Sequence, residues 1–229
     1  MPQSKIQHKI MVNNIAFLFD LDGVIIDTEP QYDIFWEKTA DKYKLNIDNF
    51  VNLIKGTTSF DIMSLYFSGF SKIVQQEIIS DYKAFELNMD IIVVPGALDF
   101  LEDVKNAKIP MGLVTSSDDY KINYIFSQLT IRHYFDTVVS AGRITKGKPD
   151  PMCYLLAAQD LNISPWNCFV FEDSFNGIKS GNAAGMKVIG LSTTNPVESI
   201  VQDCIIVISD FRHFSLNFLL SLKFSSLSP

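Results

Sequence analysis

From about residue 96 onward, short apolar runs alternate with stretches of helical period, and this alternation leaves few folds open. MGLVT (111–115), FDTVVS (135–140), CFVFE (168–172), KVIGL (187–191) and CIIVI (204–208) read as strands, and IAFLFD (15–20) joins them. Between them, 97–107, 119–129, 151–160 and 175–184 read as helices, the last closing at Gly185 as a C-cap. Strands separated by helices require a parallel sheet with crossover helices.

Residues 30–90 follow a different rule. YDIFWEKTADKY, NFVNLIK and KIVQQEIISDYKAFEL are helical in period, with no convincing strand among them. Gly56 is expected to end the second of these helices and Ser59 to cap the next, while Pro95-Gly96 marks the return to the sheet. The expected fold class is therefore α/β: a Rossmann-like parallel sheet core from 1–29 and 95–229, with an inserted α-helical cap domain over 30–94. At 229 residues the chain is long enough for a core carrying such an insert.

Charge and cysteine content exclude several function classes. A net charge of −7 argues against a nucleic-acid surface, which needs clustered Lys and Arg. Cys153, Cys168 and Cys204 have no CxxC spacing, so neither a disulfide framework nor a zinc site is expected, and core filling is their natural use. The opening MPQSKIQHKIMVNN lacks the apolar stretch of a signal peptide, and nowhere do 18 apolar residues run together. The tail SLNFLLSLKF (215–224) is too short to span a bilayer and reads as a last amphipathic helix. A cytoplasmic monomer with no membrane partner is expected.

Asp20 and Asp22, in IAFLFDLDGVIIDTE, carry the chemistry. An ionised carboxylate at the end of a buried strand costs several kcal/mol or more unless it is paired or metal-bound. Gly23 lets the chain turn sharply, so that both acids face one pocket. DxDG alone reads equally well as a polar turn, and the decision comes from the other strand ends. Ligands of open α/β sheets sit outside the carboxyl ends of the strands. Thr115 and Ser116 end one strand, Glu172 and Asp173 another, and Lys148 lies in the loop KGKPDP. Singly, each reads as a helix cap or a solvated loop residue. Jointly they make a phosphate and Mg²⁺ site: hard oxygen ligands, hydroxyl and N–H donors, and a point charge.

DLDGV, the VTSS strand end, GKPDP and FEDSFNGIKSGNAAGM resemble, in that order, the four motifs of the haloacid dehalogenase superfamily of phosphotransferases. The likeness runs from about residue 15 to 210. A helical insert between the first two motifs resembles the subgroup with β-phosphoglucomutase and phosphoglycolate phosphatase. The resemblance implies that Asp20 is the nucleophile, forming an aspartyl phosphate, and Asp22 the general acid and base. It implies that Thr115 and Lys148 hold the phosphoryl group, with Gly23 and Ser116 beside it. Asp20, the Asp22 carbonyl and Asp173 would hold Mg²⁺, with Glu172 a direct or water-mediated ligand.

The expected activity is Mg²⁺-dependent hydrolysis of a small phosphorylated metabolite of the sugar, polyol or glycolate phosphate type. Carbon–halogen cleavage is disfavoured, since dehalogenases of this fold characteristically lack the second acid and need no metal. A silent relative that only binds a phosphometabolite ranks lower, because such proteins usually lose the nucleophile, the lysine or an acidic ligand. A phosphosugar mutase is the closer rival. In β-phosphoglucomutase-like sequences a His lies early in the first cap helix, an Arg follows the cap glycine and a Lys follows the second motif. Tyr32, Ser59 and Asp118 stand there in this chain, although Lys55 is kept. Tyr32, Lys55, Thr57, Thr58 and Ser59 are the candidate substrate contacts of the cap, with Trp36 and Phe35 assigned to its core.

Overall fold

A computed structural model describes residues 14–55 and 57–225. In chain order these residues form β1 (Ala16–Phe19), α1 (Glu29–Lys42), α2 (Phe50–Ile54), α3 (Ser59–Tyr66), α4 (Lys72–Glu86), α5 (Ala97–Asn106), β2 (Met111–Val114), α6 (Asp119–Gln128), β3 (Thr137–Val139), α7 (Met152–Asp160), β4 (Cys168–Glu172), α8 (Phe175–Ala183), β5 (Lys187–Leu191), α9 (Val197–Ile200), β6 (Ile206–Ile208) and α10 (Leu216–Ser225). The strands pair in the order β3-β2-β1-β4-β5-β6, every pair parallel. The Rossmann-like α/β expectation is met, with β1, β2, β3 and β6 one to two residues shorter at an end than the sequence predicts.

β1 and β4 have no polar face, because helices cover the sheet on both sides. Phe17 and Phe19 pack with Phe169 and Phe171 in one apolar cluster, whereas Ala16 and Leu18 join Cys168 and Val170 in another. Cys153 is buried in the second cluster and Cys204 packs against it, so the three thiols fill core as expected. On the first face, Phe19 stacks on Phe171 with centroids 4.5 Å apart, and α5 contributes Phe100. Leu219 and Leu220 of α10 are buried in the same cluster. No helix among the described residues is long and apolar enough to cross a membrane.

Helices α1–α4 pack around an apolar cluster of their own, with Tyr32, Trp36, Phe50, Ile54, Ile62, Phe67 and Ile78 at its centre. The two connections between this layer and the sheet are paired to each other. Asp27 N–H donates to the Ile92 carbonyl (2.7 Å) and Val94 N–H to that of Ile25 (2.9 Å). One local expectation is corrected: Thr58, not Ser59, caps α3. Thr58 has extended backbone and its hydroxyl oxygen accepts from Asp61 N–H, while Ser59 is already helical. Gly56, expected to end the preceding helix, lies outside the described residues.

Candidate active site

In this strand order the chain leaves β1 in one direction and returns to β4 in the other, and the crevice at the carboxyl ends of that pair is the natural ligand site. Asp20 follows β1, and Glu172 and Asp173 end β4. One oxygen from each lies within 4.8 Å of the others, and all three residues are buried. Burial pushes the Asp20 carboxyl up to about 8 against the pull of Lys148, and it holds that of Asp173 well above the usual carboxylate range.

Lys148 reaches into this group from the loop before α7. Its Nζ stands 3.2 Å from Asp20 Oδ2 and 2.5 Å from Glu172 Oε1, and also donates to the Val114 carbonyl. Burial alone would favour the neutral amine, but the two carboxylates reverse this and hold Lys148 charged. Glu172 is fully engaged by the protein. Its Oε1 accepts from Lys148 and from Tyr154 Oη (2.8 Å), and its Oε2 from the N–H groups of Asp173 and Ser174 and from Ser174 Oγ.

Asp173 is different. Thr194 Oγ1 donates to its Oδ2, whereas its buried Oδ1 has no hydrogen-bond partner. An orphaned, buried carboxylate oxygen beside Asp20 fits a hard cation, and the all-oxygen donor set suits Mg²⁺ rather than a softer metal. Two glycines allow the crowding. A Cβ on Gly23, whose φ is +72°, would fall 2.0 Å from Asp173 Oδ2, and one on Gly177 would fall 1.8 Å from Glu172 Oε1. Gly23 therefore makes room for Asp173. Its N–H donates to the Ile26 carbonyl (2.7 Å).

The Asp22 side chain is outside the acidic trio. Its oxygens accept from Thr28 Oγ1, from Ser117 Oγ (3.1 Å) and from Lys121 Nζ at 2.6 and 2.5 Å. Lys121 comes from the first turn of α6, is 1 % exposed, and lies 4.6 Å from the centre of the Tyr32 ring. The sequence reading missed it, although a signal existed: Lys121 occupies the buried stripe of α6 with Ile122 and Ile125, where a lysine has no reason to be unless something pairs with it. Asp118, in turn, caps α6 by accepting from Lys121 N–H.

Asp20, Asp22, Thr115, Ser116 and Asp173 open into one cleft whose far wall comes from α1–α4. Thr115 Oγ1 accepts from Ser117 N–H (3.0 Å), so the turn after β2 is closed by the hydroxyl that faces the cleft. Lys148 and Glu172 lie behind its wall. On the cap side Glu29, Tyr32, Asp33, Trp36, Lys55, Thr57 and Ser59 line it. Lys55 pairs with Asp33 (3.1 Å), and Asn176 of α8 donates to Thr57 Oγ1 and to the Lys55 carbonyl, tying this loop to the sheet. Tyr32 Oη donates to Glu86 Oε1 (2.8 Å). Thr58 is occupied with Asp61 and does not reach the cleft, while Trp36 both packs in the α1–α4 cluster and lines the cleft.

Comparison with known proteins identifies a family. The family model described as haloacid dehalogenase-like hydrolase matches residues 17–191. Hexitol phosphatase A of Escherichia coli is 31 % identical over 77 % of this chain and 82 % of its own length. Beta-phosphoglucomutase of Bacillus subtilis is 31 % identical over 80 % of this chain and 85 % of its own. Among solved structures, a beta-phosphoglucomutase from Clostridium difficile superposes with a TM-score of 0.77 at 28 % identity, covering 92 % of this chain and 97 % of that one.

Proposed function

The chain belongs to the haloacid dehalogenase-like hydrolase family, and from that premise we propose that it is a Mg²⁺-dependent phosphatase hydrolysing small phosphorylated carbohydrates through an aspartyl phosphate on Asp20. The observation that carries this reading is the opening of Asp20, Asp22, Thr115, Ser116 and Asp173 into one cleft, with Lys148 bonded to Asp20 behind it. Residues 30–94 act as the cap over that cleft.

Asp20 attacks phosphorus as the bond to the leaving oxygen breaks, and Asp22 delivers the proton that oxygen needs. Asp22 then accepts a proton from water as it attacks phosphorus and frees Asp20. Thr115 and Ser116 donate to the phosphoryl oxygens, and Lys148 offsets their charge and that of Asp20. Asp20, Asp173 and the Asp22 carbonyl are the residues that would hold Mg²⁺, which when bound supplies positive charge against the repulsion between carboxylate and phosphate. Glu172, with both oxygens committed, acts through Lys148 and through water.

The substrate class is supported by the relatives, since hexitol phosphatase A is named for a polyol phosphate, and by the carboxylates and hydroxyls that stand among the aromatic and aliphatic side chains of the cap wall and suit hydroxyl groups. Both faces of the sheet are covered within one chain and the thiols are free, which supports a cytoplasmic monomer. The deciding experiment is phosphate release from p-nitrophenyl phosphate, then from a panel of sugar, polyol and glycolate phosphates, with and without Mg²⁺. Release that is absent from every member of the panel would overturn the assignment.

A further inference from the structure

Two buried lysines bond the acids of this site, Lys148 from behind the cleft wall and Lys121 from the cleft itself. Lys148 bonds Asp20; Lys121 contacts both oxygens of Asp22, 2.6 and 2.5 Å away, and is 1 % exposed. Asp22 sits on the loop after β1, so no strand fixes its side chain, and its orientation depends on what it bonds. Thr28 and Ser117 supply one donor each, whereas Lys121 spans both oxygens and so sets the plane of the carboxylate. Lys121 is itself held in place. It rises from the first turn of α6, and the Tyr32 ring, pinned by its bond to Glu86, covers the ammonium from the cap side.

We infer that Lys121 is a positioning residue that aims the Asp22 carboxyl at the leaving oxygen, an inference that rests on the proton-transfer role given to Asp22 above. Placement matters here because a misplacement of about 1 Å can cost on the order of 10²-fold in rate. The consequence is selective. A leaving oxygen that departs as a stable anion needs no proton in the transition state, while one that would depart as an alkoxide depends on Asp22.

The test is kcat/KM, which reports events up to formation of the phosphoenzyme, for p-nitrophenyl, phenyl and benzyl phosphate in the native protein and in Lys121→Met. Methionine keeps the length of the stem and removes the charge. The expected result is little change on p-nitrophenyl phosphate and a loss approaching about 10²-fold on benzyl phosphate, a steeper dependence on the leaving group. An equal loss on all three esters, or none on any, overturns the inference. Because Lys121→Met leaves Asp22 without its partner, the same substitution is also made in Asp22→Asn, where neither charge remains. There it should add no further loss on benzyl phosphate, since residues that act as a unit are non-additive. A full independent loss in that background also overturns it. A native protein inactive on all three esters would remove the phosphatase reading itself, an outcome distinct from an active enzyme whose leaving-group dependence does not change.

Discussion

Lys148 Nζ stands 2.5 Å from Glu172 Oε1 and 3.2 Å from Asp20 Oδ2, so one buried ammonium balances two buried carboxylates. Glu172 has no exposure at all, and Lys148 is its charge partner. Removing one member of such a group leaves uncompensated charge, typically costing about 3–5 kcal/mol. Lys148→Met should accordingly lower the melting temperature markedly as well as abolish turnover. Calorimetry showing an unchanged melting temperature would mean that the pairing contributes nothing to the fold.

Asp20→Asn should be stable and inactive. The amide keeps the shape of the side chain, loses a buried carboxyl that burial already disfavours in its charged form, and cannot form an acyl phosphate. A loss of at least about 10³-fold is expected for removal of a nucleophile. Native-like circular dichroism together with substantial phosphate release would rule out the covalent route.

Metal binding should become tighter as pH rises. In the absence of metal, burial pushes Asp20 from 3.8 up to about 8 and holds Asp173 well above its usual range. A carboxyl whose folded value is raised makes the folded state bind more protons than the unfolded one, so this contribution to stability falls as pH climbs from near 3.8 towards 8. Mg²⁺ needs the carboxylate forms and displaces those protons. Saturating Mg²⁺ should therefore raise the melting temperature more at about pH 8 than at about pH 6, a ligand at 100 times its Kd being worth about 2.7 kcal/mol. A Mg²⁺ effect that is equal at both pH values, or larger at the lower one, would contradict this.

What the sequence made legible were polar groups that terminate apolar runs. Asp20, Thr115, Glu172 and Asp173 each follow a strand with no polar member before it, so period and position alone bring them to one sheet edge. Lys121, Thr28, Ser117 and Thr194 were not legible in the same way, because their roles depend on tertiary partners. Lys121 meets Asp22 across 99 residues of sequence and Thr194 meets Asp173 across 21, and no local pattern encodes such distances. The choice between Thr58 and Ser59 as the cap of α3 turned on backbone geometry, since adjacent hydroxyls have the same chemistry. Gly23 could be seen as a turn former, but its closeness to Asp173 exists only once β1 and β4 are side by side.

The remaining choice, phosphatase or phosphosugar mutase, turns on how the cleft treats a second phosphate. A mutase must hold the distal phosphate of a bisphosphate and shield its aspartyl phosphate from water, and proteins named as beta-phosphoglucomutases are among those similar to this chain. Here each lysine within reach is already committed: Lys55 to Asp33, Lys121 to Asp22 and Lys148 to Asp20 with Glu172. Tyr32 gives its hydroxyl to Glu86, and Asp118, where a cation would be wanted, caps α6. Burial, reinforced by the charge of Asp22, pushes Glu29 on the same wall up to about 7 against the pull of Lys55 and Lys121. Replacing a charge-assisted phosphate contact by a hydroxyl typically forfeits on the order of 1.5 to 3 kcal/mol. Bisphosphate should therefore bind poorly and water should take the phosphoryl group. Given β-glucose 1-phosphate and a trace of glucose 1,6-bisphosphate, the protein should release inorganic phosphate or do nothing, whereas efficient appearance of glucose 6-phosphate would establish mutase chemistry instead.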